Sequence, residues 1–565
     1  MRINFLNWRT VSLTSTENAP LEGATRSRRQ VLVPLSGLLL GMFVALLAST
    51  VVSSSLPKII GDLGGTQAGY TWVVTSTLLA TTVSTPIWGK LADLTNRKLL
   101  IQISLIVFVV GSGLAGLAQN TEMLIFFRVL QGLGAGGLTA LVQVVMADII
   151  PPRERGRYMG LLGAVMAVAT VGGPLLGGVI TDSAGWRWNF YIAVPFAIAA
   201  IILLQKTLHI PTHKRKVTID YLGAALIAAG VSLLLIWVTL AGNQFEWGSV
   251  ASISMVAGAV LLLAAAVVTE LKVKEPIIPM TLFKNRTFWL AVIASISVGV
   301  AMFGTSVFLS QYMQLARGKT PTESGLLTIP MIGGVLISSI VIGQVISRTG
   351  KWKRYMVTGS ILLTIGLALM GTIRYDTSFF LVFVYMFVMG AGVGMVMQNL
   401  VLIVQNAVDP RQIGTASASV AFFRSLGGTI GVSVMGAVLG SRITTLVTDG
   451  IVKLGIDPSQ AGNLGDGGIP NLSTLPGPIR TLVESAYGEA VADVFLLAVP
   501  LAIISIIAIS LLPGRALGTK TSVEQIAESE AATLIAVSGA EVAGDPEGQA
   551  EIEADLDAEE RTAKP

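Results

Sequence analysis

Apolar runs of about 20 residues follow one another along most of this chain, and its charges are crowded into the short turns between them. No other feature restricts the fold so strongly. A run of that length is what a helix needs to cross the hydrocarbon of a bilayer. In lipid only helices and closed barrels satisfy every backbone donor and acceptor. Fourteen spans can be drawn, at 32–56, 70–89, 99–118, 122–147, 157–181, 188–205, 219–241, 249–270, 288–314, 322–347, 354–373, 377–405, 413–441 and 488–512. The expected fold is all-α and integral to the membrane. Asp, Glu, Lys and Arg make up 13% of the 565 residues, about half the ~25% of a soluble protein. So little charge cannot cover a water-facing surface, and the lipid bilayer is the expected partner.

Charge sorting supports the count. With the N-terminus in the cytoplasm, the inner segments hold 24 Lys and Arg, the tail left out, and the outer loops hold 8. That is the asymmetry the positive-inside rule requires, and it places both termini inside. Arg26 to Arg29, RSRR, precede a run from Val31 to Leu56 that is longer than a signal-peptide core, so it reads as a retained first span. The tail, 513–565, has 4 Lys/Arg against 12 Asp/Glu and reads as disordered and solvating. The loop 442–487 falls outside and is rich in Gly, Pro and Asn.

Several chemistries are excluded. The chain has no cysteine and only two histidines, which rules out disulfides, thiolate metal sites and a cysteine nucleophile. His209 and His213 flank Pro211 in HIPTHKRK, a solvated basic loop rather than a metal site. No metal, cofactor, nucleic acid or obligatory protein partner is expected, and no enzyme.

An internal repeat is visible. Gly89 of GKLADLTNRK is echoed by Gly343 of GQVISRTGKWK, 254 residues on. PRERG (Pro152 to Gly156) is echoed by PRQIG (Pro410 to Gly414), and GLGAG (Gly132 to Gly136) by GAGVG (Gly390 to Gly394), both 258 residues on. The echoes shift the chain by eight spans, so two six-span repeats flank two inserted spans. The expected organisation is a segment 1–31, a bundle over 32–206, two linker spans over 219–270, and a second bundle over 288–512. Parallel six-helix halves of this kind belong to the major facilitator architecture.

The motifs agree. GKLADLTNRK, Gly89 to Lys98, fills the turn after the second span. It resembles the loop signature of the major facilitator superfamily, G-x-L-A-D-[basic]-x-G-[basic]-[basic], with Leu94 and Asn96 as departures. Asn is the non-glycine residue most tolerant of positive φ, so the turn is expected to survive. Asp93 can cap a neighbouring helix N-terminus and pair with a cation such as Arg97, a latch that breaks on inward opening. The alternative is a solvated topogenic turn, which would not need Asp93.

Arg128, in LIFFRVLQGLGAGG, resembles the superfamily's fourth-helix arginine, which is associated with proton coupling; snorkelling is the alternative. The stretch Gly163 to Gly178, with Gly172, Gly173, Pro174 and Gly177, resembles the fifth-helix signature of exporters, and it equally suits close helix packing. GWRWNFYIAVP supplies Trp186, Trp188 and Tyr191 for an interfacial aromatic belt. Arg424, in AFFRSLGGTIG, resembles the thirteenth-helix signature of fourteen-helix exporters. The chain is therefore similar to the fourteen-helix drug:H+ antiporters of the superfamily, the EmrB/QacA type.

One departure matters. In LASTVVSSSLP, Ala48 stands where that group usually carries an aspartate. A proton carrier needs an ionising group in the path, and no carboxylate lies at mid-membrane. Asp148 and Asp493 sit at span ends, and Glu270, Glu323 and Asp376 read as interface residues. Asp148 or Asp93 carries the proton near the inner mouth, the substrate carries the charge, or coupling is weak. Phe303, Gln311, Gln398 and Asn399 are candidate cavity residues among adaptable methionines. The resemblance implies export of amphipathic or lipophilic, cationic compounds by alternating access, driven by a proton gradient across a bacterial cytoplasmic membrane. A dedicated exporter of one metabolite, lipid or antibiotic is the alternative; a membrane enzyme or a non-transporting sensor belongs to another class.

Overall fold

The computed structural model describes residues 28–64, 67–208, 220–241, 245–273, 275–319, 321–453, 476–529 and 531–532. The histidine loop, most of the N-terminal segment, residues 454–475 of the 442–487 loop, and residues 533–565 lie outside them. The first group of helices is α1 (Arg28–Asp62), α2 (Gln67–Leu94), α3 (Arg97–Gly116), α4 (Thr121–Ile149), α5 (Pro152–Ser183), the short α6 (Trp188–Tyr191) and α7 (Ala193–Thr207). A hairpin follows, α8 (Tyr221–Leu240) and α9 (Val250–Lys272). The second group is α10 (Arg286–Gln311), α11 (Pro321–Leu327), α12 (Ile329–Thr349), α13 (Lys353–Met370), α14 (Phe379–Gln405), α15 (Ile413–Lys453) and α16 (Gly477–Ser510).

Polar residues in the turns start these helices. The side chains of Asn96, Asn120, Asp220, Ser249 and Asn285 each accept a hydrogen bond from a backbone N–H in the first turn of α3, α4, α8, α9 and α10. Asn96 corrects the expectation of a positive φ. Its backbone is extended, at φ −67°, and its side chain accepts from Lys98 and Leu99. Asparagine serves this turn as an N-cap.

Eleven helical stretches among the described residues are long and apolar enough to cross a membrane. Three helices that the fourteen-span reading uses are not among them. Serine and threonine dilute α2, α13 is 18 residues long and opens on Lys353 and Arg354, and in α5 several side chains between Ala167 and Asp182 lie outside the description.

The packing repeats itself. In the first group α2 and α3 pack on α4, and α1 packs on α5 and α7; in the second, α12 and α13 pack on α14, and α10 packs on α15 and α16. The two groups have separate cores, one around Leu38, Phe108 and Leu141, the other around Phe288, Phe308, Met389 and Phe495. They meet where α5 packs on α12 and where α2 packs on α15, and α8 leans on α2 and α15.

The echo glycines sit at these two junctions. A side-chain carbon on Gly89 would lie 2.9 Å from the carbonyl oxygen of Gly414, and one on Gly156 would lie 2.9 Å from that of Gly343. Each glycine of the first echo thus meets a glycine of the second on the opposite helix group. Backbones this close leave no room for a Cβ.

Candidate functional site

The described residues are bound together most densely across the two groups at the Asp93 end of the helices. Asp93, on the last turn of α2, accepts from the backbone N–H groups of Gly414 (2.8 Å) and Thr415 (2.7 Å) and from the Thr415 hydroxyl (2.7 Å). These are the free donors of the α15 N-terminus, where the helix dipole also favours an anion. Arg97 lies 3.8 Å from Asp93, donates to the Asp148 carboxylate and donates its Nε–H to the Ala92 carbonyl (2.8 Å). Asp148 is 1% exposed, so Arg97 compensates a buried charge. Asp93 lies beyond the 70–89 span, and burial there pushes its carboxyl up to about 6 against the pull of Arg97 and of its Thr415 and Gly414 donors.

Two further ties close the same end. Arg155, at the start of α5, is fully buried and donates to Gln405 of α14 and to the Ala147 and Ile150 carbonyls (3.1 and 2.9 Å). Gln405 in turn donates to Ser417 of α15 (2.8 Å) and to the Gln143 carbonyl of α4 (3.3 Å). The start of the tail forms the second tie, contrary to the expectation of a solvated tail from residue 513. Arg153 donates to the Gly518 carbonyl (3.0 Å), Trp352 to that of Arg515 (2.8 Å), and Asn406 to that of Ala516 (3.1 Å). Gly518 donates to the Asn406 side chain (2.8 Å), and the Ser522 hydroxyl to Ala147 and Asp148 (2.9 Å each). Residues 515–522 therefore strap one group to the other.

Arg128 is buried without a carboxylate partner. It donates to Gln131 (2.8 Å) and to the Val73 carbonyl (3.4 Å), while Glu122 is exposed. Arg424 is 6% exposed and its Nη1 has no partner. Ala48 is buried in the first core. The α5 glycines serve two neighbours. A side chain at Gly173 would collide with Thr50 of α1, and one at Gly163 would lie 3.0 Å from the Ser339 hydroxyl of α12. The Gly177 carbonyl accepts from Ser55 (3.2 Å), and Gly172 faces open space. The helix runs on through Pro174 and Gly178, whose side-chain surroundings lie outside the description.

The candidate cavity residues lie apart from the Asp93 end. Gln398 reaches from α14 to the Met166 sulfur of α5 (3.2 Å), and Asn399 donates back to Met395 (2.7 Å). Their side-chain oxygens and that of Gln311 are buried without partners. Phe303 lies where a side chain on Gly428 would fall. No hydrogen bond among the described residues joins Gln311 to Gln398 or Asn399. Trp186 is turned inward rather than outward. It is 2% exposed against Phe190, with Arg187 stacked 4.3 Å from its ring, whereas Trp188 is 56% exposed.

Sequence reasoning missed Arg155, Gln143, Gln405 and Ser522. The PRERG echo marked the position of Arg155 without its chemistry; the others carry no local signal. No group of three His, Cys, Asp or Glu among the described residues could hold a metal.

Two helix groups packed alike, with ties built across their junction, have the architecture of a transporter. The chain belongs to the Major Facilitator Superfamily, whose sequence profile matches residues 38–432. It is 36% identical over 439 residues to the multidrug transporter protein MdtP of Bacillus subtilis, covering 78% of this chain and 80% of that one. To multidrug resistance protein 3 of the same organism it is 32% identical over 468 residues, 82% and 91% of the two chains. It is also 31% identical over 433 residues to the acurin A biosynthesis cluster MFS-type transporter of Aspergillus aculeatus, 75% and 77% of the two. The human organic anion transporter MFSD10 shares the fold, with a TM-score of 0.55 at 14% identity over 84% of this chain and 99% of that one.

Proposed function

We propose that this chain is a secondary active exporter of the fourteen-helix drug:H+ antiporter group. Its spans are arranged 6 + 2 + 6, both termini are cytoplasmic, and it lies in a bacterial cytoplasmic membrane. It moves amphipathic or lipophilic, cationic compounds outward by alternating access, using the proton gradient and no other cofactor. The observation that carries this reading is the Asp93 closure. A buried carboxylate on the first helix group holds the N-terminus of a helix of the second, which is a bond that must break each time the substrate path opens on that side. The two B. subtilis relatives, both named for multidrug transport or resistance, support the substrate class. The Asp93 end faces the cytoplasm in this reading because the basic turns gather there. Substrate passes between the groups, where Gln398, Asn399 and Arg424 keep unsatisfied polar atoms among methionines.

The relative from a biosynthesis cluster favours a second reading, a dedicated exporter of one product. Dye uptake into inverted vesicles under an acid-inside gradient separates the two. The multidrug reading expects protonophore-sensitive uptake of several unrelated cationic dyes. It also expects uptake reduced about tenfold or more in Asp93→Ala, which strands two buried N–H donors at ~1–3 kcal/mol each, and in Arg424→Ala. Uptake of none of the dyes would sink it.

A further inference from the structure

Two carboxylates outside the closure face each other in the protein interior. Asp220 caps α8, its Oδ1 accepting from the Gly223 N–H at 2.8 Å. Glu270, near the end of α9, accepts the Ile278 N–H on its Oε2 at 3.0 Å. The sequence marked Glu270 as an interface residue, yet it is 3% exposed, and Asp220 is 7% exposed. The second oxygen of each, Asp220 Oδ2 and Glu270 Oε1, is buried and meets no donor. Both oxygens lie against the point where a side chain on Gly223 would begin, so they face across the space that glycine leaves. Ile227, Ile277, Ile278 and Phe422 make the surrounding cluster apolar.

The charged neighbours do not resolve this. On α2 the nearest cation is Lys90, buried and bonded at 2.7 Å to Glu275, on the segment that follows α9. The other titratable groups beside the pair on α8 and α9, Tyr221 and Lys272, are exposed, and α15 contributes Phe422 and Phe423 to the cluster. Among the described residues, three carboxylates thus share one lysine that is already engaged. Two buried carboxylates with facing lone pairs and no donor between them cannot both be ionised.

We propose that Asp220 and Glu270 form a proton-binding site, the two carboxylates sharing one proton taken from solvent across the gap at Gly223. The proton is held on the buried oxygens that face Gly223, Oδ2 and Oε1. Lys90 stands on α2, one turn before Asp93. Movement of that helix against α15 therefore changes the distance from Lys90 to the pair and with it the pair's hold on the proton. The use of this site in transport rests on the exporter reading above; its occupancy does not.

Infrared spectroscopy of the full chain in lipid nanodiscs tests the site through the carbonyl stretch of a protonated carboxyl group. Wild type is expected to keep such a band at pH 7, where ordinary carboxylates are ionised. Asp220→Asn and Glu270→Gln each keep the backbone acceptor and supply an N–H donor in place of the shared proton, so both should lose the band. Asp93→Asn should retain it. Absence of the band from wild type at pH 7, or its survival in both pair variants, overturns the proposal. If either variant fails to fold, Lys90→Met removes the nearest cation and must move the loss of the band to higher pH; no shift overturns the proposal as well. A chain that shows the band but transports nothing would end the exporter reading and leave the proton site standing.

Discussion

Asp93 concentrates in one side chain what holds the closed end. Its motif marked it in the sequence, because an acid among basic residues in a short turn has few other uses. Its partners were not legible, since Gly414 and Thr415 lie more than 300 residues away and offer only backbone and a hydroxyl. The elevated titration of Asp93, at about 6, fixes the sign of its pH response. An aspartate released to water titrates near ~3.9, so the closed end binds the proton more tightly than the open one. Closure is then favoured as pH falls from about 6 towards 4, and it weakens as pH rises through about 6. The absence of native cysteine makes this measurable. Gln143→Cys introduces the sole thiol at a fully buried side chain whose amide has no partner. Its maleimide labelling, corrected for thiolate fraction, should be faster at pH 7 than at pH 5.5, and Asp93→Ala should abolish that difference. The Asp220–Glu270 pair escaped sequence reasoning for a related reason. Glu270 reads as an interface acid, Asp220 falls at the start of the 219–241 span without a mark of its own, and nothing local says that they meet.

The segment after α16 shows how an average hides an element. Taken as a whole the tail is acidic, but its first ten residues, PGRALGTKTS, carry no acid, and Glu524 is the first. That neutral-to-basic stretch is the part that docks, with Leu517, Thr521 and Ser522 buried. Each neutral hydrogen bond it makes contributes about 1 kcal/mol net. Deleting residues 515–565 should therefore speed labelling of the Gln143→Cys thiol roughly tenfold. Ser522→Asp, which sets a carboxylate against Asp148, should do the same with the chain intact. Labelling unchanged in both would show that the strap does not restrain the closed end. The glycines of α5 give the opposite lesson. Their small size was legible, and so was the close packing it permits, but the division of labour between Thr50 on α1 and Ser339 on α12 depends on the rotation of a helix within the bundle.

The repeat was the most legible property of the molecule, because two halves that pack alike must keep the same small residues at the same crossings. A nearly constant offset between glycines survives where side-chain chemistry has diverged, as at Asp93 and its echo Ser347. How the halves face each other was not written in the offset, which is equally consistent with two bundles side by side. Gly343→Val and Gly89→Val test the crossings. Each places a branched side chain on an opposing backbone, and each is expected to lower dye uptake by at least about tenfold. Cores distant from the crossings are untouched, so expression and thermal unfolding should change little by comparison. Equal loss of folding and of transport would show that the glycines matter for assembly alone. The first crossing also has a mechanical meaning. Gly414 meets Gly89 through its carbonyl and Asp93 through its N–H, so the first crossing cannot stay closed while the latch parts, and the two must open together.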